Sequence, residues 1–343
     1  MRALVLNEPL SIAAGERPEP NADPGPGRAL IRVRSIGICG SDLHAFRGHH
    51  PFVTYPRVLG HELGCEVLAI APNDRGIAVG DHVCVEPLLN CGTCFPCRQG
   101  RYNCCVNIKV LGIHTDGGMT ERVEVPVERL HKSKIDLSYD ELALCETLSI
   151  GVQAVKRGCV ASGQNVVVVG AGPIGLGAMI AARAKGAEVL VIDPIELNRK
   201  TALDMGADAV VDPANEDVIK RVQQWSPRDG GAHVVLEAVG LPATIAQSVQ
   251  FAAPTGAVVV IGISKEIVPL TFSDWMRKEV ALLTTRNSCD AFPTVLALFE
   301  NYRSELARMV THHFTLDEGP KVFNWLHESR GRAGVIKAVL HQD

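Results

Sequence analysis

The stretch Val166-Val167-Val168-Val169-Gly170-Ala171-Gly172-Pro173-Ile174-Gly175 reads as a strand that runs straight into a glycine-rich turn and the opening of a helix. Four valines in succession suit a strand covered on both faces. The G-x-G-x-x-G that follows allows a tight turn at Gly170, close approach of a pyrophosphate to the backbone at Gly172, and helix–strand contact at Gly175. Helix N-terminal amides, with Pro173 and Ile174 in the first turn, then face the phosphates. Alone, the motif also fits a plain strand–helix turn with no ligand. The downstream pattern supports the first reading. Strands are expected at 188–193, 209–211, 233–239, 257–263 and 280–285, with helical stretches between most of them, including 196–205 stopped by Gly206. That alternation predicts βαβ units and a doubly wound parallel sheet of the α/β class. Asp193 falls 18 residues after Gly175, at the end of the second strand. A carboxylate there accepts from the adenosine ribose hydroxyls and repels a 2′-phosphate, which favours NAD over NADP. It can instead cap the helix that begins near Glu196. Arg199, close by, is an ordinary helix residue or a competing partner for phosphate.

Upstream the texture differs. Residues 1–148 carry short apolar runs at 29–33, 67–70, 82–85 and 121–127, broken by Gly, Pro, Asp and Asn turns, so this part is expected to be β-rich. Prolines 18, 20, 24 and 26 mark an extended connector. Past 286 the pattern is mixed, with a helix near 291–301 and a last strand near 334–340. Two domains are predicted, 149–285 inserted into 1–148 with 286–343. The uncharged run 166–182 is short for a membrane span and broken by glycines. A net charge of −4 leaves no electrostatic footprint for nucleic acid or an anionic membrane. The N-terminus has no secretory pattern, and a cytoplasmic location with reduced thiols is expected.

Cys91, Cys94, Cys97 and Cys105 follow C-x2-C-x2-C-x7-C within a lobe of about residues 90–106. A loop so spaced can wrap four thiolates around one structural zinc. Disulfides are the alternative, but 11 cysteines is an odd number and the chain is long for a disulfide scaffold. Cys104, beside Cys105, is a possible substitute ligand. A second set lies outside this loop: Cys39, Ser41, Asp42 and His44, then His61-Glu62, and further on Glu146. A thiolate, an imidazole and carboxylates supply what a catalytic zinc needs, three protein ligands and an open position. Taken one at a time, each has a plain structural reading.

With these residues in place, the chain resembles the zinc-dependent medium-chain dehydrogenases, the superfamily of alcohol, sorbitol and threonine dehydrogenases. The resemblance rests on GICGSDLH, YPRVLGHE, the four-cysteine lobe, DGGMTE, CETLSIG and VVGAGPIGLG, and covers essentially the whole chain. It implies a GroES-like catalytic domain with an inserted Rossmann domain. It further implies two zinc ions per chain, NAD, and a homodimer or homotetramer. The catalytic zinc would be held by Cys39 and His61, with Glu62 and Glu146 as direct or water-mediated partners, and the structural zinc by Cys91, Cys94, Cys97 and Cys105. Ser41 would take the substrate proton and His44 pass it on. Two residues depart from the pattern: Cys65, where similar proteins usually have Gly (here at 64), and Thr147, where Pro is common. His114 and Arg286-Asn287 resemble bacterial dehydrogenases of L-idonate, L-gulonate or L-galactonate. That likeness implies a polyhydroxy small-molecule substrate and places these three residues at it. Sorbitol dehydrogenases typically carry an aromatic residue where Ala45 stands, and threonine dehydrogenases usually lack an equivalent of His114. A polyol or threonine dehydrogenase, and an NAD-sensing zinc-binding module, remain as alternatives.

Overall fold

Short apolar runs between Gly, Pro and Asn turns build the first part of the chain from strands: β1 (Arg2–Glu8), β2 (Ser11–Glu16), β3 (Arg28–Gly37), β4 (Arg57–Val58), β5 (Glu62–Ile70), β6 (His82–Val85), β7 (Leu88–Leu89), β8 (Lys109–Val110), β9 (Arg122–Pro126) and β10 (Leu130–Lys132). Helices α1 (Gly40–Phe46) and α2 (Phe95–Arg98) interrupt them, and α3 (Tyr139–Arg157) follows. The chain then alternates through β11 (Asn165–Val169), α4 (Pro173–Ala184), β12 (Glu188–Ile192), α5 (Glu196–Asp204), β13 (Ala209–Val211), α6 (Val218–Trp225), β14 (Ala232–Glu237), α7 (Pro242–Phe251), β15 (Ala252–Val260), α8 (Phe272–Lys278) and β16 (Ala281–Thr284). It closes with α9 (Phe292–Leu306), β17 (Val310–Thr315), α10 (Gly319–Glu328) and β18 (Lys337–His341). The computed structural model describes residues 1–329 and 334–342.

The chain divides into Met1–Glu146 with Val310–Asp343, and Thr147–Met309. In the first unit the main sheet has the order β10-β6-β5-β3-β18-β17, with β9 also on β3. Its apolar faces bury Ile31, Ile36, Leu63 and Leu340 together with Leu4, Phe46, Met119 and Phe323. Register places Gly37 opposite both Glu62 and Val339. The end of β3, the start of β5 and the middle of β18, residues far apart in sequence, therefore meet at one point.

In the second unit the strands lie in the order β13-β12-β11-β14-β15-β16, and every adjacent pair is parallel. Numbered within the unit, that order is 3-2-1-4-5-6, the doubly wound Rossmann arrangement. The uncharged run near 166–182 is β11, the turn and α4 of this unit. Among the described residues no helix is long and apolar enough to cross a membrane.

The second crossing between units lies at 309/310 rather than at 285/286. Helix α9 buries Val295, Leu298 and Phe299 and contacts α4, and the Arg183 guanidinium sits 5.8 Å from the Tyr302 ring centre. Packing keeps the segment after β16 with the parallel sheet. The first crossing falls within α3, at 146/147.

Candidate active site

Helix α1 starts at Cys39, and its start is set by a reciprocal cap. The Cys39 amide donates to Asp42 Oδ2 at 2.9 Å, fixing the thiol at the helix N-terminus. His61 and Glu62 lead into β5. The Gly118 amide donates to the Gly60 carbonyl and the Met119 amide to the Leu59 carbonyl, so the DGGMTE segment braces the backbone just before His61. Cys39, His61 and Glu62 each present a donor atom within 4.8 Å of the others. The Asp42 carboxylate, fully buried, faces His61 Nδ1 at 3.6 Å. That leaves Nε2 for a metal, with a carboxylate behind the ring to orient it. Ser41 Oγ lies 3.4 Å from His61 Nε2, beside the position such an ion takes.

Electrostatics of the cluster suit a cation. Burial pushes the His61 imidazole down, but the Asp42 and Cys39 charges and hydrogen bonds outweigh it and hold the imidazole well above its usual value. A metal ion claims the same negative field and requires the neutral ring. Glu62, nearly fully buried, is held by Lys337 through Nζ contacts of 2.6 and 2.8 Å, and Lys337 Nζ also reaches the Ile38 carbonyl at 3.4 Å. Gly37 makes this approach feasible, since a Cβ there would collide with the Glu62 carboxylate. Glu146 is not among the three converging donors. Part of that residue still meets solvent, yet desolvation of its carboxyl, reinforced by Glu62, pushes it up to about 7 against the pull of His61 and Lys337.

Sequence reading missed Lys337 and did not assign Asp42. The Asp three residues after Cys39 carries a capping signal. Lys337 lies 275 residues from Glu62 and carries none. At the first departure, the glycine at 64 is required because a Cβ would strike the Tyr139 carbonyl, while Cys65 is a buried thiol pushed up by burial and by Cys84.

The four-cysteine lobe gathers Cys91, Cys94, Cys97 and Cys105 within 4.8 Å, and Cys104 stays outside the group. Cys94 and Cys97 sulfurs are 3.4 Å apart, and those of Cys91 and Cys105 3.5 Å. A disulfide needs about 2.05 Å. Thiolates around tetrahedral zinc at about 2.3 Å stand roughly 3.8 Å apart. All four are free thiols, and the amides of Cys91 and Asn107 donate to Cys105 Sγ at 3.4 Å. Amides of Thr93 and Cys94 draw the Cys91 thiol down to about 5, while burial lifts Cys105 to about 11. Both donor sets fit zinc.

His114 Nδ1 accepts the Val110 amide at 3.1 Å, and its ring stacks on Phe52 with centres 5.4 Å apart. His50, absent from the sequence reading, is lowered by burial and by the nearby His44 and His114. His61 acts on His50 in the same direction.

In the second unit the glycine motif is the turn from β11 into α4. Gly170 has φ +93°, and a Cβ on Gly175 would strike the Gly170 carbonyl. At Gly172 a Cβ would meet nothing, so the open side is available to a phosphate at the α4 N-terminus. Pro173 and Ile174 form the first turn. Asp193 follows β12 and is nearly buried. It is not a free carboxylate: it accepts from the amides of Ala171 (2.7 Å) and Ile195 (2.8 Å) and from Asn198 Nδ2 (3.1 Å). Asp193 thus ties the glycine turn to the start of α5. Arg199 is engaged by the Asp193 carbonyl at 2.8 Å and by Asp212 at 2.9 Å. Arg286, exposed, and Asn287, in the left-handed region at φ +44°, follow β16 at the same carboxyl edge of the sheet. Ligands of open α/β sheets bind at that edge.

Residues 25–135 match the alcohol dehydrogenase GroES-like domain family and residues 173–301 the zinc-binding dehydrogenase family. A zinc-type alcohol dehydrogenase-like protein of Haemophilus influenzae is 36% identical over 99% of both chains. This chain belongs to the zinc-dependent medium-chain dehydrogenases. An L-galactonate-5-dehydrogenase of Escherichia coli K12 is 34% identical, and an L-threonine 3-dehydrogenase of Pyrococcus horikoshii 35%, each match covering 92% of both chains. Among solved structures, an alcohol dehydrogenase from E. coli CFT073 complexed with NADH superposes with a TM-score of 0.90 at 26% identity, covering 100% of this chain and 99% of that one. A zinc-binding dehydrogenase from Sinorhizobium meliloti 1021 bound to NADP gives 0.89 at 31%, covering 99% of each. Membership makes the chain a zinc-containing oxidoreductase of the alcohol dehydrogenase type.

Proposed function

We propose that the chain oxidises a secondary hydroxyl of a sugar acid, with NAD as acceptor. The observation that carries the dehydrogenase chemistry is the convergence of Cys39, His61 and Glu62 beside Ser41. Zinc bound there supplies Lewis acidity that eases ionisation of a substrate hydroxyl, and the nicotinamide accepts hydride. Cys39 Sγ and His61 Nε2 are the proposed ligands, Glu62 and Glu146 direct or water-bridged partners. Ser41 Oγ is the first proton carrier. His44, one helical turn along α1 on the same face, is the next. Asp42 keeps the His61 ring oriented, and Lys337 holds the Glu62 carboxylate in place.

NAD is supported by Arg199, whose guanidinium is already paired with Asp212 and so is not free to meet a 2′-phosphate. Asp193→Asn is expected to weaken NAD binding by about 1.5–3 kcal/mol, the scale of hydrogen bonds to a charged group, and to narrow the preference over NADP. Fluorescence titration with both cofactors measures this. Equal kcat/KM for NAD and NADP in the unaltered enzyme would overturn it.

The sugar-acid substrate is supported by the likeness to the galactonate enzyme and by His114 and Arg286 as candidate partners of a carboxylate. L-threonine is the second reading, favoured by the 35% identity to a threonine dehydrogenase. Initial rates of NAD reduction with L-idonate, L-gulonate, L-galactonate, sorbitol, galactitol and L-threonine separate the two. The acids are expected to lead, because donors built to pair a carboxylate go unsatisfied with a neutral polyol. Arg286→Ala should cut kcat/KM on the best acid about 10–100-fold, one lost charged hydrogen bond, and spare the polyols. Sorbitol or threonine outperforming every acid would sink the substrate assignment and leave the dehydrogenase standing.

A further inference from the structure

Asp140, His313 and His341 converge away from the site described above. Asp140 lies in the first turn of α3, His313 on the edge strand β17 and His341 at the end of β18. His341 Nε2 is 2.8 Å from Asp140 Oδ1, and His313 Nδ1 is 3.2 Å from Asp140 Oδ2. One donor atom from each residue lies within 4.8 Å of the others, and the two imidazole centres are 5.4 Å apart. Ligands around a tetrahedral zinc, at bonds of about 2.0–2.2 Å, are roughly 3.3 Å apart. The His313–Asp140 spacing is already close to that value, and the 2.8 Å His341–Asp140 contact is a hydrogen bond that a bound ion would replace.

The carboxylate has a support behind it. Ser35 Oγ, on the fully buried Ser35, donates to Asp140 Oδ1 at 2.6 Å. Ser35 stands directly opposite His341 in the β3–β18 ladder, so one register fixes both ligand and support. A ligating carboxylate is oriented by an outer layer of hydrogen-bond partners, and Ser35 fills that place behind Asp140. The His313 side chain is 52% exposed, which gives an ion a path in from solvent.

We propose that Asp140, His313 and His341 bind a divalent transition ion, zinc by preference, as a third metal site distinct from the four-cysteine lobe and the Cys39–His61 centre. Two imidazoles and one carboxylate suit zinc, nickel or copper, and three protein ligands leave one position for water. The ion ties the first turn of α3 to β17 and β18. Six residues along α3 lies Glu146, and four residues back along β18 lies Lys337, so the same elements carry the walls of the metal centre.

The test uses the untagged enzyme with its resident zinc, dialysed into metal-free buffer and titrated calorimetrically with zinc chloride. One further equivalent per chain is expected, together with a zinc-dependent rise in the unfolding midpoint. His313→Ala and His341→Gln should each remove that equivalent, and Ser35→Ala should weaken it about 10–100-fold. His313 is exposed, so its variant is the one expected to fold normally and it decides the matter should Ser35→Ala fold poorly. No added binding, or the same binding in His313→Ala, overturns the proposal. The latter result would mean that the titrant fills a resident site or scattered surface histidines, and that the three side chains are only an ion-pair cluster.

Discussion

Cys39→Ala is expected to lower turnover by about 10³-fold or more, since a Lewis acid contributes several kcal/mol at the transition state and each 1.4 kcal/mol is tenfold. The fold should persist. Of the reciprocal cap at the start of α1, the half in which the Cys39 backbone amide donates to Asp42 Oδ2 survives the substitution, and only the half through the thiol is lost. Cys97→Ala is the opposite case. The lobe's own apolar core is small, Leu88, Cys105 and Ile108, so the segment depends on its thiolate cage. Losing one ligand from a closed site removes binding energy that is also folding energy. Metal analysis, kcat and thermal unfolding on both variants separate the roles. Each should lose one zinc, Cys39→Ala mainly in rate and Cys97→Ala mainly in stability. Equal melting loss in both, or full activity in Cys39→Ala, would contradict the assignment.

Lys337→Met should destabilise the protein by about 3–5 kcal/mol, the cost of leaving one charge of a buried pair without its partner. Glu62 is 1% and Lys337 4% exposed, so solvent cannot replace the lost contact. Burial pushes the Lys337 ammonium down, but Glu62, Cys39 and Glu146 outweigh it and hold it above its usual value. A raised lysine contributes its stability in full below the unfolded value and loses it as pH rises through the folded value. The effect should therefore be complete at neutral pH and fade only in strongly alkaline solution. Lys337→Met combined with Glu62→Gln should recover part of the loss, because the orphaned charge is then gone. Denaturant unfolding at pH 7 measures both. Ordinary surface substitutions change stability by about 0.5 kcal/mol. A single variant that stayed near that scale would mean that the pair is already broken by ligand binding or hydration.

Local chemistry made much of this legible in advance. The valine run and G-x-G-x-x-G are confined to ten residues, and β6 and β13 fall at the predicted bounds because their turns punctuate them. The cysteine spacing places four sulfurs within reach of one ion whatever the rest of the chain does. Cys39 and His61 were readable as a pair of donor types, but only the pairing of β3 with β5 brings them together with Glu62. Lys337 was beyond reach for the same reason. It faces Glu62 because β18, from the far end of the chain, pairs antiparallel with β3, and no periodicity or spacing encodes a contact across 275 residues. Asp140, His313 and His341 meet for the same reason, each ordinary in its own segment. At Asp193 position alone suggested a free acceptor for ribose, whereas the folded turn shows three protein donors already on it. The domain boundary moved from 286 to 310 because burial of α9 against α4, an energy of side-chain packing, outweighs the change in sequence texture that follows β16.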